Sequence, residues 1–99
     1  MKYQIEKKQG YCVVSFDGEL FHASELESYI AAAPQIGADI PPGDGVVISG
    51  RGPVWLYAAL VHHFHPAAWV ATFDPRLAGG VVTQRHVHLA PPIGEVISL

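Results

Sequence analysis

The chain has little cysteine and little positive charge. Among its 99 residues there is one cysteine, and lysine and arginine together number six against nine carboxylates. A lone Cys12 excludes an intrachain disulfide and a cysteine tetrad for zinc. The net charge of −3, with histidines neutral, argues against a broad basic face that would grip long nucleic acid. No apolar run approaches the roughly 20 residues needed to span a bilayer, and the longest, Val54 to Val61, is far shorter. Met1 to Lys8 is polar and lacks the apolar centre of an export signal, so a cytoplasmic location with no membrane partner is expected. Internal repeats, charge runs and dividing linkers are missing too, so a single domain over residues 1–99 is expected.

What remains is oily. Hydrophobic residues make up 49% and charged residues 15%, and a domain of this size buries only about 60–65% of its unfolded surface. Some of that apolar surface is therefore expected to be covered by another copy of the chain.

The pattern predicts two strands, Tyr3 to Lys7 and Tyr11 to Phe16, joined by the polar turn Lys8-Gln9-Gly10. Ser24 to Ala33 reads as a helix, with Ser24 and Glu27 in the spacing of a capping box and Pro34 as its stop. Val46 to Ser49 reads as a short strand buried on both faces. Pro53 then stands where a helix would begin, and Val54 to Phe64 is apolar nearly all round. Strands are expected over Trp69 to Phe73, Gly80 to His88 and Ile93 to Ile97. The order β, β, α, β, α, β, β, β predicts an α/β sandwich with a mostly parallel centre.

Three groups could carry chemistry. Ser49-Gly50-Arg51-Gly52-Pro53 links a buried strand to a helix, where unpaired N–H groups and the helix dipole attract an anion. Glycine lets a phosphate reach the backbone and Arg51 can donate two hydrogen bonds; an ordinary tight turn would also use two glycines. The second group is His62, His63 and His65 near the end of the second helix, with His86 and His88 in a strand. His62 and His65 share a helical face if the helix reaches His65, and His86 and His88 share one side of a strand. Imidazoles with a carboxylate suit zinc or manganese, although helix C-termini favour histidine through the dipole alone. The third is Asp74-Pro75-Arg76, either a plain turn or a carboxylate and a guanidinium placed to act on a phosphate. Trp55, Tyr57, Trp69 and Cys12 read as structural, with a ligand contact the alternative for Tyr57; His22 reads as surface.

The run Val47-Ile48-Ser49-Gly50-Arg51-Gly52-Pro53-Val54-Trp55-Leu56, followed by His62, His65, Phe73-Asp74-Pro75-Arg76-Leu77, Gln84 and His86, resembles the CRISPR ring nuclease 3 family. The resemblance implies a compact Rossmann-like fold, a mixed sheet with two helices, distantly related to CRISPR-associated nucleotide-sensing domains. It implies a homodimer, assembling to tetramers around ligand, that binds cyclic tetra-adenylate and cuts it to linear di-adenylate in a manganese-dependent reaction, other divalent ions being alternatives. One dimer would hold the ring while another presents the catalytic groups. The resemblance also implies a manganese-dependent RNase acting on 3′ ends of single-stranded RNA; a non-catalytic cyclic oligoadenylate sensor is the reading from a different class. By position, Ser49, Gly50, Arg51 and Gly52 would hold phosphates, and His65, Asp74 and Arg76 would be catalytic. His62, His65, Asp74 and His86 would surround the metal. Ala78 lengthens the turn after Leu77 relative to the family pattern.

Overall fold

The computed structural model describes residues 1–99 as one six-stranded sheet with both helices on one side. The strands are β1 (Lys2–Lys7), β2 (Tyr11–Asp17), β3 (Gly45–Ser49), β4 (Trp69–Asp74), β5 (Gly79–Arg85) and β6 (Val96–Ser98). They lie in sequential order across the sheet. Pairings β2/β3 and β3/β4 are parallel, and the three outer pairings are antiparallel. The expected α/β class, mixed sheet and parallel centre are what the chain forms.

Sequential order explains the one-sided layer. Each parallel step needs a crossover, and crossovers of the usual right-handed kind that advance in one direction put their helices on the same face. The first crossover carries a 3-10 turn (Ala23–Glu25) and α1 (Leu26–Ala31); the second carries α2 (Val54–His63). Tyr29, Leu56 and Leu60 from these helices, and Phe64 from the C-cap of α2, pack onto Cys12, Val14, Phe16, Val46, Ile48 and Val70 of the strands. The other face holds Val47, Trp69, Ala71 and Val82, joined by Ala90 from the segment after β5. The Trp69 indole lies across Gly45 so closely that a Cβ there would sit 2.0 Å from Cε2. No helix is long and apolar enough to cross a membrane.

Several boundaries differ from the sequence expectation. The Ser24–Glu27 capping box does not form, because Ser24 lies inside the 3-10 turn and neither cap position makes a side-chain cap bond. Tyr29 takes over the anchoring instead: its hydroxyl donates to Glu25 Oε2 at 2.8 Å and accepts from the His22 amide at 3.2 Å. Pro53 is the N-cap of α2 rather than its first helical residue, with ψ of 156°. The second helix stops at His63, so His65 lies in the following turn and not on a helical face with His62. The fifth strand stops at Arg85; His86 is the first residue past it and His88 lies in a turn, so the two do not share one side of a strand. The last strand is Val96–Ser98 rather than Ile93 to Ile97.

Candidate functional site

Parallel pairing of β3 and β4 brings their C-terminal ends together, which joins the Ser49–Pro53 junction to the Asp74–Arg76 turn. Ser49, Gly50, Arg51, Gly52, Tyr57, Phe73 and Pro75 line one cleft of about 500 Å³. Gly50 makes the junction possible. Its φ is +143°, a region costly for residues with a Cβ, and a Cβ would sit 2.5 Å from the Phe16 carbonyl oxygen. Tyr57 braces the loop from α2, its hydroxyl donating to the Gly50 carbonyl oxygen at 2.6 Å. Burial pushes the Tyr57 hydroxyl pKa up, so it remains a donor. Arg51 is exposed and makes no ion pair, and α2 opens beside it without an acidic residue in its first turn. Charge and open N–H groups thus make this cleft attractive to an anion.

The adjoining turn is locally ordered. Asp74 accepts the Arg76 amide at 2.9 Å, and the Arg76 guanidinium donates to both its oxygens, Nε at 3.2 Å and Nη2 at 2.9 Å. These bonds hold the Asp74 carboxyl below its ordinary value, the side-chain bonds from Arg76 counting most. Arg76 is 86% exposed and can swing from Asp74 to a ligand, whereas Asp74 is 23% exposed. Ala78, at the end of this turn, lies at φ +51°, the one non-glycine residue with positive φ. Replacing Arg76 by Ala is expected to move the Asp74 titration part of the way up to 3.8, because the Arg76 amide bond remains; carboxyl carbon-13 shifts against pH would show it. A depressed folded-state pKa adds stability above the unfolded value and loses it as pH falls through the folded one. Native and Arg76→Ala stabilities should therefore differ at neutral pH and converge in acid.

The histidines sit at the opposite end. His65 and His86 face each other edge to face, with ring centroids 4.6 Å apart. The His86 amide donates to the Ala68 carbonyl just before β4 begins, whereas Asp74 closes β4. At about 3.3 Å per residue, a six-residue strand separates them by about 20 Å. His62 and His65 border one surface depression with His63. His63 is structural, its Nε2 pairing with the Pro34 carbonyl at 2.8 Å. Within one chain, then, Ser49, Gly50, Arg51, Gly52, Asp74 and Arg76 are gathered at one end and His62, His65 and His86 at the other. No three His, Cys, Asp or Glu side chains converge as a metal ion would need. The set His62, His65, Asp74 and His86 is thus not assembled by a single subunit.

Two residues of this cleft had only weak sequence signals. Phe73 follows from alternation along β4, which puts it on the same face as Trp69 and Ala71, but nothing local says that this strand end meets the glycine junction. Tyr57 is one turn into α2 and reaches back seven residues to Gly50.

Fold and cleft together define a small α/β domain with a glycine-rich strand–turn–helix junction that opens on a cleft. A protein-family model described as CRISPR-associated protein (Cas_csx3) matches residues 23–98, and the chain belongs to that CRISPR-associated family. The match includes the cleft, the turn and all the histidines except His22. A protein of Aquifex aeolicus (strain VF5), described as uncharacterized, is 54% identical over 41 residues; that similarity covers 41% of this chain and 37% of the relative.

Proposed function

We propose that the chain is a ring nuclease that binds cyclic tetra-adenylate and cuts it to linear di-adenylate, switching off type III CRISPR signalling, with the site completed between copies. The observation that carries this reading is the division of the candidate groups between the two ends of one sheet. One end has the glycine-lined cleft with Arg51, and Asp74 and Arg76 beside it; the other has paired imidazoles. Stacking one copy's histidine end over another's cleft would bring them to one phosphate. Exposed Val54, Leu89 and Leu20, at 82%, 91% and 73%, add apolar surface for homodimers and larger assemblies.

Ligand-free chemistry assigns the roles. Each ribose 2′-hydroxyl of the ring lies beside its own phosphodiester. In-line attack needs that hydroxyl deprotonated, the charge at phosphorus neutralised and the departing 5′-oxygen protonated. Arg51 and the α2 N-terminus hold the phosphate; Arg76, released from Asp74, faces the developing charge; His65 and Asp74 handle protons. A manganese ion, or another divalent ion, would be held by His86 of one copy, with His62 beside it and Asp74 from another copy, and would supply further charge neutralisation, leaving His65 free for the proton.

Purified chain incubated with labelled ring and manganese is expected to yield linear di-adenylate. A 2′,3′-cyclic phosphate intermediate would support attack by the hydroxyl, and its absence attack by water. Arg51→Ala is expected to weaken ring binding about 10–100-fold, the value of a charge-assisted hydrogen bond. The incomplete site of a single chain also favours a second reading, a non-catalytic sensor that binds the ring and changes its assembly. A ring left intact after prolonged incubation with excess protein would decide for the sensor. Faster turnover of adenosine-tailed single-stranded RNA than of the ring, at equal protein, would decide for a 3′ RNA exonuclease.

A further inference from the structure

Gln84 and Arg85 at the end of β5, and His86 just past it, order the imidazole pair and the loop that follows it. Both ends of the Ala67–Ala68 backbone hold His86. Its amide donates to the Ala68 carbonyl at 2.8 Å, and its ring Nδ1 lies 3.1 Å from the Ala67 carbonyl oxygen. A carbonyl oxygen only accepts, so Nδ1 must carry the proton in the neutral ring, and the Nε2 lone pair is left bare. Arg85 closes the loop that follows. Its Nη2 donates to the carbonyls of His88 at 2.8 Å and Ala90 at 2.9 Å, and it has no acidic partner.

The facing ring is biased the other way. The Gln84 amide nitrogen lies 3.4 Å from the His65 carbonyl oxygen and 3.5 Å from His65 Nδ1. That carbonyl can only accept, which turns the NH₂ end of Gln84 toward His65 and gives its Nδ1 a donor to accept from. Both contacts are long for hydrogen bonds, so Gln84 biases His65 where Ala67 fixes His86.

We infer that the end of β5 holds the two facing imidazoles in opposite tautomers, His86 presenting a bare Nε2 lone pair and His65 presenting an Nε2–H, with Gln84 as the positioning residue that sets the second. His86 is then the ring able to take a proton or ligate a cation. His65 is the ring that offers a hydrogen bond to a phosphate or leaving oxygen. The tautomers belong to the free chain; their use on a phosphodiester rests on the ring nuclease reading.

Long-range proton–nitrogen correlation of the ¹⁵N-labelled, metal-free chain, at a pH where the imidazoles are neutral, reads each tautomer directly. The expected spectrum shows His86 protonated at Nδ1 and His65 predominantly at Nε2. In Gln84→Glu, which has the same shape but offers an acceptor, His65 is expected to change to the Nδ1–H form while His86 stays as it was. In Gln84→Ala His65 is expected to relax to the mixture of a free imidazole. His86 protonated at Nε2, or His65 unmoved in both variants, would overturn the assignment. On the ring, Gln84→Glu is expected to lower kcat about 10–100-fold with KM little changed. A wild-type kcat in Gln84→Glu would remove Gln84 as a positioning residue. A native chain with the expected tautomers that never cuts the ring would sink the nuclease reading and leave the tautomer assignment standing.

Discussion

Chains carrying His65→Ala and chains carrying Asp74→Ala are each expected to bind the ring without cutting it, and an equal mixture of the two is expected to cut it again. The single losses should be about 10²–10⁴-fold, the usual contribution of a positioned acid or base. Restoration follows from the placement of the two groups at opposite ends of the sheet. If an active phosphate meets the histidine end of one copy and the aspartate end of another, random assembly leaves about one composite site in four with both groups intact. A site built within one chain could never be restored this way, because every chain in the mixture lacks one of its members. Assay by ring turnover, with assembly followed by light scattering, separates the cases. Two inactive variants that stay inactive when mixed, while still forming the native assembly, would refute the between-copies arrangement. Full activity of Asp74→Ala by itself would remove Asp74 from the site.

The second large effect concerns Gly50. Gly50→Ala adds a methyl where the Phe16 carbonyl oxygen would be 2.5 Å away, at a φ of +143°. The neighbour is backbone of the strand beside β3, so it cannot step aside as a flexible side chain would. Strain and overpacking together are expected to cost about 3 kcal/mol or more, against about 5–15 kcal/mol for the stability of an ordinary domain. Gly43 is the control: its φ is +90° but nothing lies within 4 Å of its Cβ, so Gly43→Ala should cost only the conformational strain of about 1–2 kcal/mol. Urea unfolding of both variants measures the difference. Because the Gly50 carbonyl also accepts from Tyr57, the variant that remains folded should lose ring affinity as well, whereas Gly43→Ala should keep it. Equal stabilities of the two variants would show that Gly50 is replaceable and that the junction is not the close approach described here.

Strand and helix identity was legible wherever apolar spacing is local. Tyr11 to Phe16 alternates, Val46 to Ser49 is uninterrupted, and Val54 to Phe64 is a long apolar run behind a proline, which forms the helix although only Leu56 and Leu60 of α2 are buried. The strand–Ser49-Gly50-Arg51-Gly52-Pro53–helix junction was legible because a glycine at positive φ and a proline at a helix cap leave marks in the sequence itself. The capping box at Ser24 failed for the opposite reason. It weighed two residues three apart, while Tyr29 fixed the segment through bonds to Glu25 and His22 and through burial against the sheet. The histidine spacings misled in the same way: each element stops short, at His63 and at Arg85, so neither the i, i+3 nor the i, i+2 rule applies.

By itself the sequence determined the element order, the apolar faces, the glycine-rich strand–helix junction and its membership of a family, since all of these are written in runs of neighbouring residues. Only the tertiary structure decided which end of the sheet each group occupies, that His65 meets His86, and that Asp74 stands with Arg51 instead of with the imidazoles. The reason is physical. Spacing along a chain encodes the face on which a side chain emerges, but strand direction and pairing decide the end of the sheet at which it arrives, and those are settled by contacts between segments far apart in sequence.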